Sequence, residues 1–208
     1  MVNFVASSKI YDEDVTEMLP YAKYYKNIGH KDHSYYFTLD KGEHYKLISH
    51  LSKQCPDGST VIDIGTFLGY SALSLAINPN VSVVTYDIEE MIVQKEGMKS
   101  MLDVPNITYR IKNCLDDVPS LLPAPLIILD VDPHDGVQEI DIIQALINHN
   151  YKGVVICDDI KLNDGMKRFW EWVPLKKVDI TAFGHLTGTG AIVFDPAIHD
   201  LVVEDNKK

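Results

Sequence analysis

From Thr60 onward the sequence alternates between two periodicities, and this alternation constrains the fold more than anything else in it. Short β-branched runs occur at Thr60–Ile64, Val81–Tyr86, Ile107–Ile111, Leu126–Leu129 and Val154–Ile156. Amphipathic stretches separate them, among them Tyr70–Ile77, Glu89–Leu102 and Val137–Asn148. Strands alternating with helices imply right-handed crossovers and a parallel sheet covered on both faces. Two later runs, Val178–Phe183 and Ala191–Phe194, have only a Gly/Thr-rich link between them and are predicted as an antiparallel pair at one edge. The expected class is therefore α/β: a doubly wound sheet of seven strands, mostly parallel, with one antiparallel edge strand.

Ahead of the alternation the pattern predicts a helix over Asp12–Lys26, with Pro20 as a possible break. A polar loop over Asn27–Asp40 and a second helix over Gly42–Gln54 follow. This divides the chain into an N-terminal helix and lid segment, residues 1–40, and a main domain, residues 41–208. The polar tail Asp195–Lys208 is expected to fray. With 208 residues and 46% apolar content, one sizeable core is affordable.

Charge and cysteines narrow the partners. A formal net charge of −11 repels polyphosphates, so nucleic acid is excluded as a partner. The one small basic cluster, Lys167 and Arg168 beside Phe169 and Trp170, reads as a solvated helix edge. Cys55, Cys114 and Cys157 are odd in number and lack metal spacing, which suits a reducing compartment. With no signal-like opening and no apolar run of spanning length, a soluble cytoplasmic protein without membrane contact is expected.

Doubly wound sheets carry their chemistry at the carboxyl ends of the strands. Here those ends read Asp63–Gly65, Asp87, Asn113–Cys114, Asp130–His134, Asp158–Asp159 and Gly184–His185, an unusual concentration of acids and polar groups. The first runs from strand through a glycine turn into a helix, Val61-Ile-Asp-Ile-Gly-Thr-Phe-Leu-Gly-Tyr70. Gly65 permits a tight turn and close approach of a ligand, and Gly69 permits close packing at the helix start. A dinucleotide fingerprint would open with glycine where Asp63 stands. A carboxylate there repels a pyrophosphate but tolerates a cationic ligand. Asp87, at the end of the next strand, suits the two hydroxyls of a ribose.

Asp63-x-Gly65-x-x-x-Gly69 with Asp87 resembles the class I S-adenosylmethionine (SAM)-dependent methyltransferases over residues 42–194, and so implies a Rossmann-like sheet. The resemblance implies SAM as cofactor. Asp63, Gly65, Thr66, Phe67, Gly69, Tyr70 and Ser71 would lie along its methionine part, with Asp63 near the ammonium. Asp87 and Ile88 would meet the ribose, Asn113, Cys114 and Leu115 the adenine, with Asp130 facing the cofactor from the neighbouring strand. The helix Gly42–Gln54 resembles the lid segment of small-molecule O-methyltransferases.

Neighbouring strand ends are expected to bring Asp130, Asp158 and Asp159 together. Three carboxylates in one cleft call for a proton or a hard divalent cation. Helix capping is the competing explanation, although it leaves the adjacent pair Asp158–Asp159 unexplained. The three acids resemble the metal site of the catechol- and caffeoyl-CoA-type O-methyltransferases, with Asp159 where those have Asn, which implies Mg²⁺ or Mn²⁺. The lysine base of the catechol type falls at Pro133. His134 is then the candidate base, with Asp132 as competitor; a plain surface histidine is the other reading.

Asp179–Gly190 resembles a turn of viral and microbial glycan-modifying methyltransferases. His185 within it is either a substrate contact and catalytic candidate or part of a glycine-held turn. Seven of the eleven tyrosines lie at or before Tyr45. Tyr21, Tyr24 and Tyr25 suit helix packing or a homo-oligomer interface, and Tyr35 and Tyr36 suit a lid, loop His30–Tyr36, over a sugar or aryl ring. The expectation is a metal-assisted SAM-dependent O-methyltransferase acting on vicinal hydroxyls of a small-molecule or glycan acceptor, with a sugar such as rhamnose favoured over a catechol. A non-catalytic SAM-binding subunit and a nicotinamide-dependent oxidoreductase are the rivals.

Overall fold

A computed structural model describes residues 2–27, 44–90 and 99–204. Its centre is a seven-stranded sheet formed by β2 (Thr60–Ile64), β3 (Ser82–Asp87), β4 (Ile107–Ile111), β5 (Leu126–Leu129), β6 (Val154–Cys157), β7 (Lys176–Asp179) and β8 (Gly190–Val193). The strand order is β4-β3-β2-β5-β6-β8-β7. All neighbours are parallel except β8, which runs antiparallel to both β6 and β7. The expected seven-stranded class and the antiparallel pair at one edge are both present, with the reversed strand one place in from the outermost.

The centre of the sheet is buried on both faces, so β5 and β6 read as continuous apolar runs with period-2 sorting underneath. Val61, Val83, Leu126, Ile128, Val154 and Ile156 enter one core with α2 (Tyr45–Ser52) and α3 (Tyr70–Ala76). Ile62, Ile64, Ile127, Leu129, Val155 and Cys157 enter the other, with α4 (Val118–Leu121), α5 (Val137–Asn148) and α6 (Asp164–Trp172). Each such aliphatic side chain contributes roughly 1.5–3 kcal/mol on burial.

Three boundaries differ from expectation for local reasons. The first helix starts late, as α1 (Leu19–Asn27), because Asp14 Oδ1 accepts from Thr16 N–H at 2.9 Å and turns the chain first. Pro20 thereby falls in the first turn of α1, where its missing N–H costs nothing. The strand expected to reach Phe183 stops at Asp179, whose Oδ1 accepts from Thr181 N–H at 3.0 Å and starts a 3-10 turn, Thr181–Phe183. The tail expected to fray instead forms β9 (His199–Glu204), which pairs in parallel with β1 (Val2–Ser7). Leu201 and Phe4 carry this pair into the same core as α2 and α3. The lid loop His30–Tyr36 with Tyr35 and Tyr36, and most of the expected helix Glu89–Leu102, lie outside the described residues, as do the side chains of Tyr24 and Tyr25.

From β2 the chain winds outward through β3 to β4, then returns to β5 on the other side of β2 and continues to β6. The reversal between β2 and β5 is a topological switch point, where the loops beyond the strand ends part and leave a crevice.

Candidate functional site

A cavity of about 670 Å³ occupies this crevice. It is bordered by residues that follow β2 (Gly65, Phe67), β3 (Asp87, Ile88, Glu89), β4 (Lys112–Leu115) and β5 (Asp130–Asp132, His134), and by Gln138, Asp141 and Ile142 of α5. Among the cofactor candidates, Gly65, Phe67, Asp87, Ile88, Asn113, Cys114, Leu115 and Asp130 therefore lie on its wall. Asp63, Thr66, Gly69, Tyr70 and Ser71 do not.

The glycine turn is set by neighbouring backbone more than by room for a ligand. Gly65 has φ +99°, and a Cβ there would stand 1.6 Å from the Asp130 carbonyl oxygen. Its N–H donates to Tyr86 O at 2.9 Å. Gly69, at φ +79°, caps α3. Between them Phe67 takes a left-handed φ of +43°, and its N–H donates to Asp87 Oδ2 at 2.8 Å. Asp87 Oδ1 accepts from Glu89 N–H at 3.1 Å.

Asp63 lies beneath this loop, fully buried, and does not reach the cavity wall. Its Oδ2 accepts from Thr85 Oγ1 at 2.7 Å, and Thr85 Oγ1 lies 2.5 Å from Thr66 Oγ1. Asp63 and Thr66 thus brace the turn from below. Oδ1 of Asp63 is buried without a hydrogen-bond partner. Burial pushes this carboxyl up to about 7, opposed by the Thr85 hydrogen bond and reinforced by the charge of Asp130. Tyr70 and Ser71 are buried in α3, the Tyr70 ring meeting Tyr45 edge-on with centroids 5.8 Å apart. Burial also pushes the Cys114 thiol up to about 12, so it borders the cavity as an uncharged group.

The acids beyond β5 and β6 fall into two sets, each with histidine. In the first, His134 stands between Asp130 and Asp159. Its Nε2 lies 3.9 Å from Asp130 Oδ1 and 3.3 Å from Asp132 Oδ1, while Nδ1 lies 3.7 Å from Asp159 Oδ2. His134 and Asp159 both hold positive φ, +54° and +58°. The His134 carbonyl accepts from Asn163 Nδ2 at 2.8 Å, which pins this turn to the start of α6. Asp132 is 86% exposed at the rim, against 21% for His134. In the second set, Asp158 Oδ2 lies 3.2 Å from His44 Nδ1 and 3.3 Å from His185 Nδ1. His185 Nδ1 is also 3.3 Å from Asp159 Oδ1 and 2.8 Å from Thr187 Oγ1, whose hydroxyl bonds Asp159. The three carboxylates are close but do not converge as one set of oxygens: Asp158 turns to the imidazoles.

Charge follows this geometry. Burial first, then the neighbouring Asp158, pushes the Asp130 carboxyl up to about 7. Burial also acts to raise Asp158, but His44 and His185 outweigh it and hold that carboxyl below the usual range. The cluster's net demand is for positive charge.

Sequence reasoning missed His44 and the α5 wall. Gln138, Asp141 and Ile142 have i, i+3, i+4 spacing behind a strand end, a readable signal. His44 precedes α2 and meets Asp158 from across the fold, and nothing in its local sequence announces that.

No family profile matches the sequence, and no curated protein is significantly similar to it. Solved structures do match. The SAH-bound methyltransferase PaMTH1 of Podospora anserina superposes with a TM-score of 0.61 at 12% identity, over 90% of this chain and 92% of that one. A putative caffeoyl-CoA O-methyltransferase from Staphylococcus aureus gives 0.55 at 14% identity, over 89% and 95%. Cofactor-bound Rv0187 from MTB gives 0.51 at 19% identity, over 73% and 79%. The chain shares the fold of these structures, two of which are described as methyltransferases. Among the described residues no helix is long and apolar enough to cross a membrane.

Proposed function

We propose that the chain is a SAM-dependent O-methyltransferase, assisted by a divalent cation and acting on an acceptor with neighbouring hydroxyls, a sugar being the favoured class. The observation that carries this reading is one continuous cavity, about 670 Å³, bordered by Asp87 as well as by Asp130 and His134. That volume is in the range of small-ligand pockets. Its size, apolar Ile88 and half-exposed Phe67, and a carboxylate at the end of β3 fit an adenosyl cofactor. The SAH-bound and cofactor-bound neighbours of the same fold support it.

SAM, when bound, supplies a sulfonium methyl that needs alignment and a nucleophilic acceptor. Asp87 would accept from the ribose hydroxyls while keeping Phe67 in place, and Asn113–Leu115 would border the adenine. For the cation, the strand ends of β5 and β6 supply hard oxygen donors: Asp159, Asp130, whose carboxyl burial and then the charge of Asp158 push up to about 7, and Asp158, whose Oδ1 is buried with no hydrogen-bond partner. A divalent cation, when bound, supplies charge that makes a hydroxyl more acidic and orients two adjacent oxygens.

The proton of the acceptor hydroxyl goes to His134. Asp130 and Asp159 approach opposite nitrogens of its ring, an arrangement that orients the imidazole at the cavity wall. Asp132, exposed at the rim, is the fallback acceptor.

Transfer of labelled methyl from SAM to a panel of sugars and catechols, with and without chelator, tests the reading. Turnover on a vicinal diol that stops in EDTA and returns with Mg²⁺ or Mn²⁺ is expected. Full activity in excess EDTA removes the metal, and SAM that fails to bind removes the function.

A further inference from the structure

A second convergence of ligand atoms lies outside the cavity, and the methyl-transfer reading makes no use of two of its three members. His44, just ahead of α2, and His185, between β7 and β8, both bring Nδ1 to Oδ2 of Asp158, at 3.2 and 3.3 Å, although His185 Nδ1 also lies 2.8 Å from Thr187 Oγ1 and 3.3 Å from Asp159 Oδ1, contacts that a metal ion would have to displace. One donor atom from each residue lies within 4.8 Å of the others. His44 and Asp158 are 3% and 7% exposed, and His185 is 24% exposed, which leaves one open side. None of the three borders the cavity.

The distribution of partners over the Asp158 carboxylate is the telling detail. Two imidazole nitrogens crowd Oδ2, while Oδ1, equally enclosed, accepts no hydrogen bond. A buried carboxylate satisfied by hydrogen bonding would share its donors between both oxygens, since a bare buried acceptor is costly. Two nitrogens and one carboxylate oxygen gathered at a point suit a metal instead. Ligand atoms about 2.0–2.1 Å from a tetrahedral ion stand about 3.3–3.4 Å apart, close to both separations here. In the first set one donor atom from each of Asp130, His134 and Asp159 also lies within 4.8 Å of the others, but its nitrogen–oxygen separations of 3.7 and 3.9 Å are longer and fall on opposite ring nitrogens of His134.

We propose that His44, Asp158 and His185 form a transition-metal site of the two-histidine, one-carboxylate kind. Its donors select a borderline divalent ion, Zn²⁺ above all, over Mg²⁺. Three protein ligands leave a coordination position open, and the exposed flank of His185 is the side from which water or a substrate oxygen reaches it. The site is separate from the oxygen-ligated cation proposed above. It shares only Asp158, which offers Oδ2 here and has Oδ1 in reserve, and it does not rest on methyl transfer.

The test is metal binding by the full chain without SAM. Protein stripped with chelator is titrated with Co²⁺, followed by its visible d–d absorption, and then with Zn²⁺ by calorimetry. With Mg²⁺ in excess to occupy the oxygen-ligated site, one Co²⁺ per chain with intense visible bands, displaced by Zn²⁺, is expected. His44→Ala and His185→Ala should each weaken Zn²⁺ binding by at least about tenfold, and Asp164→Asn, at an exposed carboxylate in the first turn of α6, should leave it unchanged. Because His44 is buried, His185→Gln with an unaltered circular dichroism melt serves as the folded control and should also lose affinity. Absence of Co²⁺ bands in the wild type overturns the proposal. So does Zn²⁺ affinity that survives His185→Gln, or that falls as much with Asp164→Asn.

Discussion

The backbone N–H of Phe67 donates to Asp87 Oδ2 at 2.8 Å, so the acid at the end of β3 holds the glycine turn that follows β2. The same carboxylate faces the cavity. It therefore sets the shape of the cofactor loop and, in the proposed function, also binds the ribose.

Asp87→Ala is accordingly expected to cost more than a ribose contact alone. Each hydrogen bond to a charged group is worth about 1.5–3 kcal/mol, and Phe67 would be left in a left-handed conformation without its anchor. Calorimetric SAM affinity should fall by about tenfold to several hundredfold. Affinity equal to wild type would take Asp87 out of the site.

Gly65→Ala should be among the most damaging single-methyl changes in the protein. Both the φ of +99° and the Asp130 carbonyl at 1.6 Å oppose a Cβ, and neither is a flexible side chain. A loss of about 3 kcal/mol or more is expected, read as a lowered thermal midpoint. Gly58→Ala is the comparison: φ is +78° but nothing lies within 4 Å, so only backbone strain of about 1 kcal/mol applies. Equal midpoints for the two variants would contradict the packing argument.

Asp63 gives a pH dependence with a definite sign. Its folded value of about 7 stands above its ordinary 3.8, so between those limits the native chain keeps a proton that the unfolded chain has released. Stability from this group is present below about pH 4 and is lost as pH rises through about 7, at about 1.4 kcal/mol per pH unit in the window. Asp63→Asn keeps an acceptor for Thr85 and removes the charge. Its thermal midpoint relative to wild type should climb from pH 5 to pH 8, and a flat difference would show that Asp63 is ionised throughout.

His134→Ala should reduce turnover by about 10²–10⁴ while leaving SAM affinity nearly unchanged. His134→Gln, which keeps a polar side chain but no basic nitrogen, should be equally impaired. Near-normal turnover in either variant would move the base to Asp132.

The parts legible in sequence were those whose signal is local. β5 and β6 announce themselves as unbroken apolar runs because both faces of the sheet are covered there, and α5 and α6 begin and end where their periodicity does. Asn163 caps α6 by accepting from Gly165 N–H at 2.8 Å, which sharpens that boundary. β9 was not legible because only Leu201 of its six residues is buried. The same rule divides the site. Strand-end position placed Asp87 and Asp130 at the cavity, but it could not say that Asp63 points beneath the loop or that Asp158 turns to His44. Those depend on contacts between residues far apart in the chain.

The pairing of β1 with β9 joins strands almost two hundred residues apart in sequence, Val2 opposite His199 and Ser7 opposite Glu204. During synthesis Val2–Ser7 emerges early and waits for a partner that is made long after the central strands. Closing so wide a loop is entropically expensive until the intervening sheet has already brought the ends near. The two-stranded ribbon should thus be a late latch in folding, protected from hydrogen exchange only after β2, β3 and β5 are protected. Until then, the amide edge of β1 is open to pairing with the β9 of another copy, which makes strand exchange the characteristic misassembly of this chain.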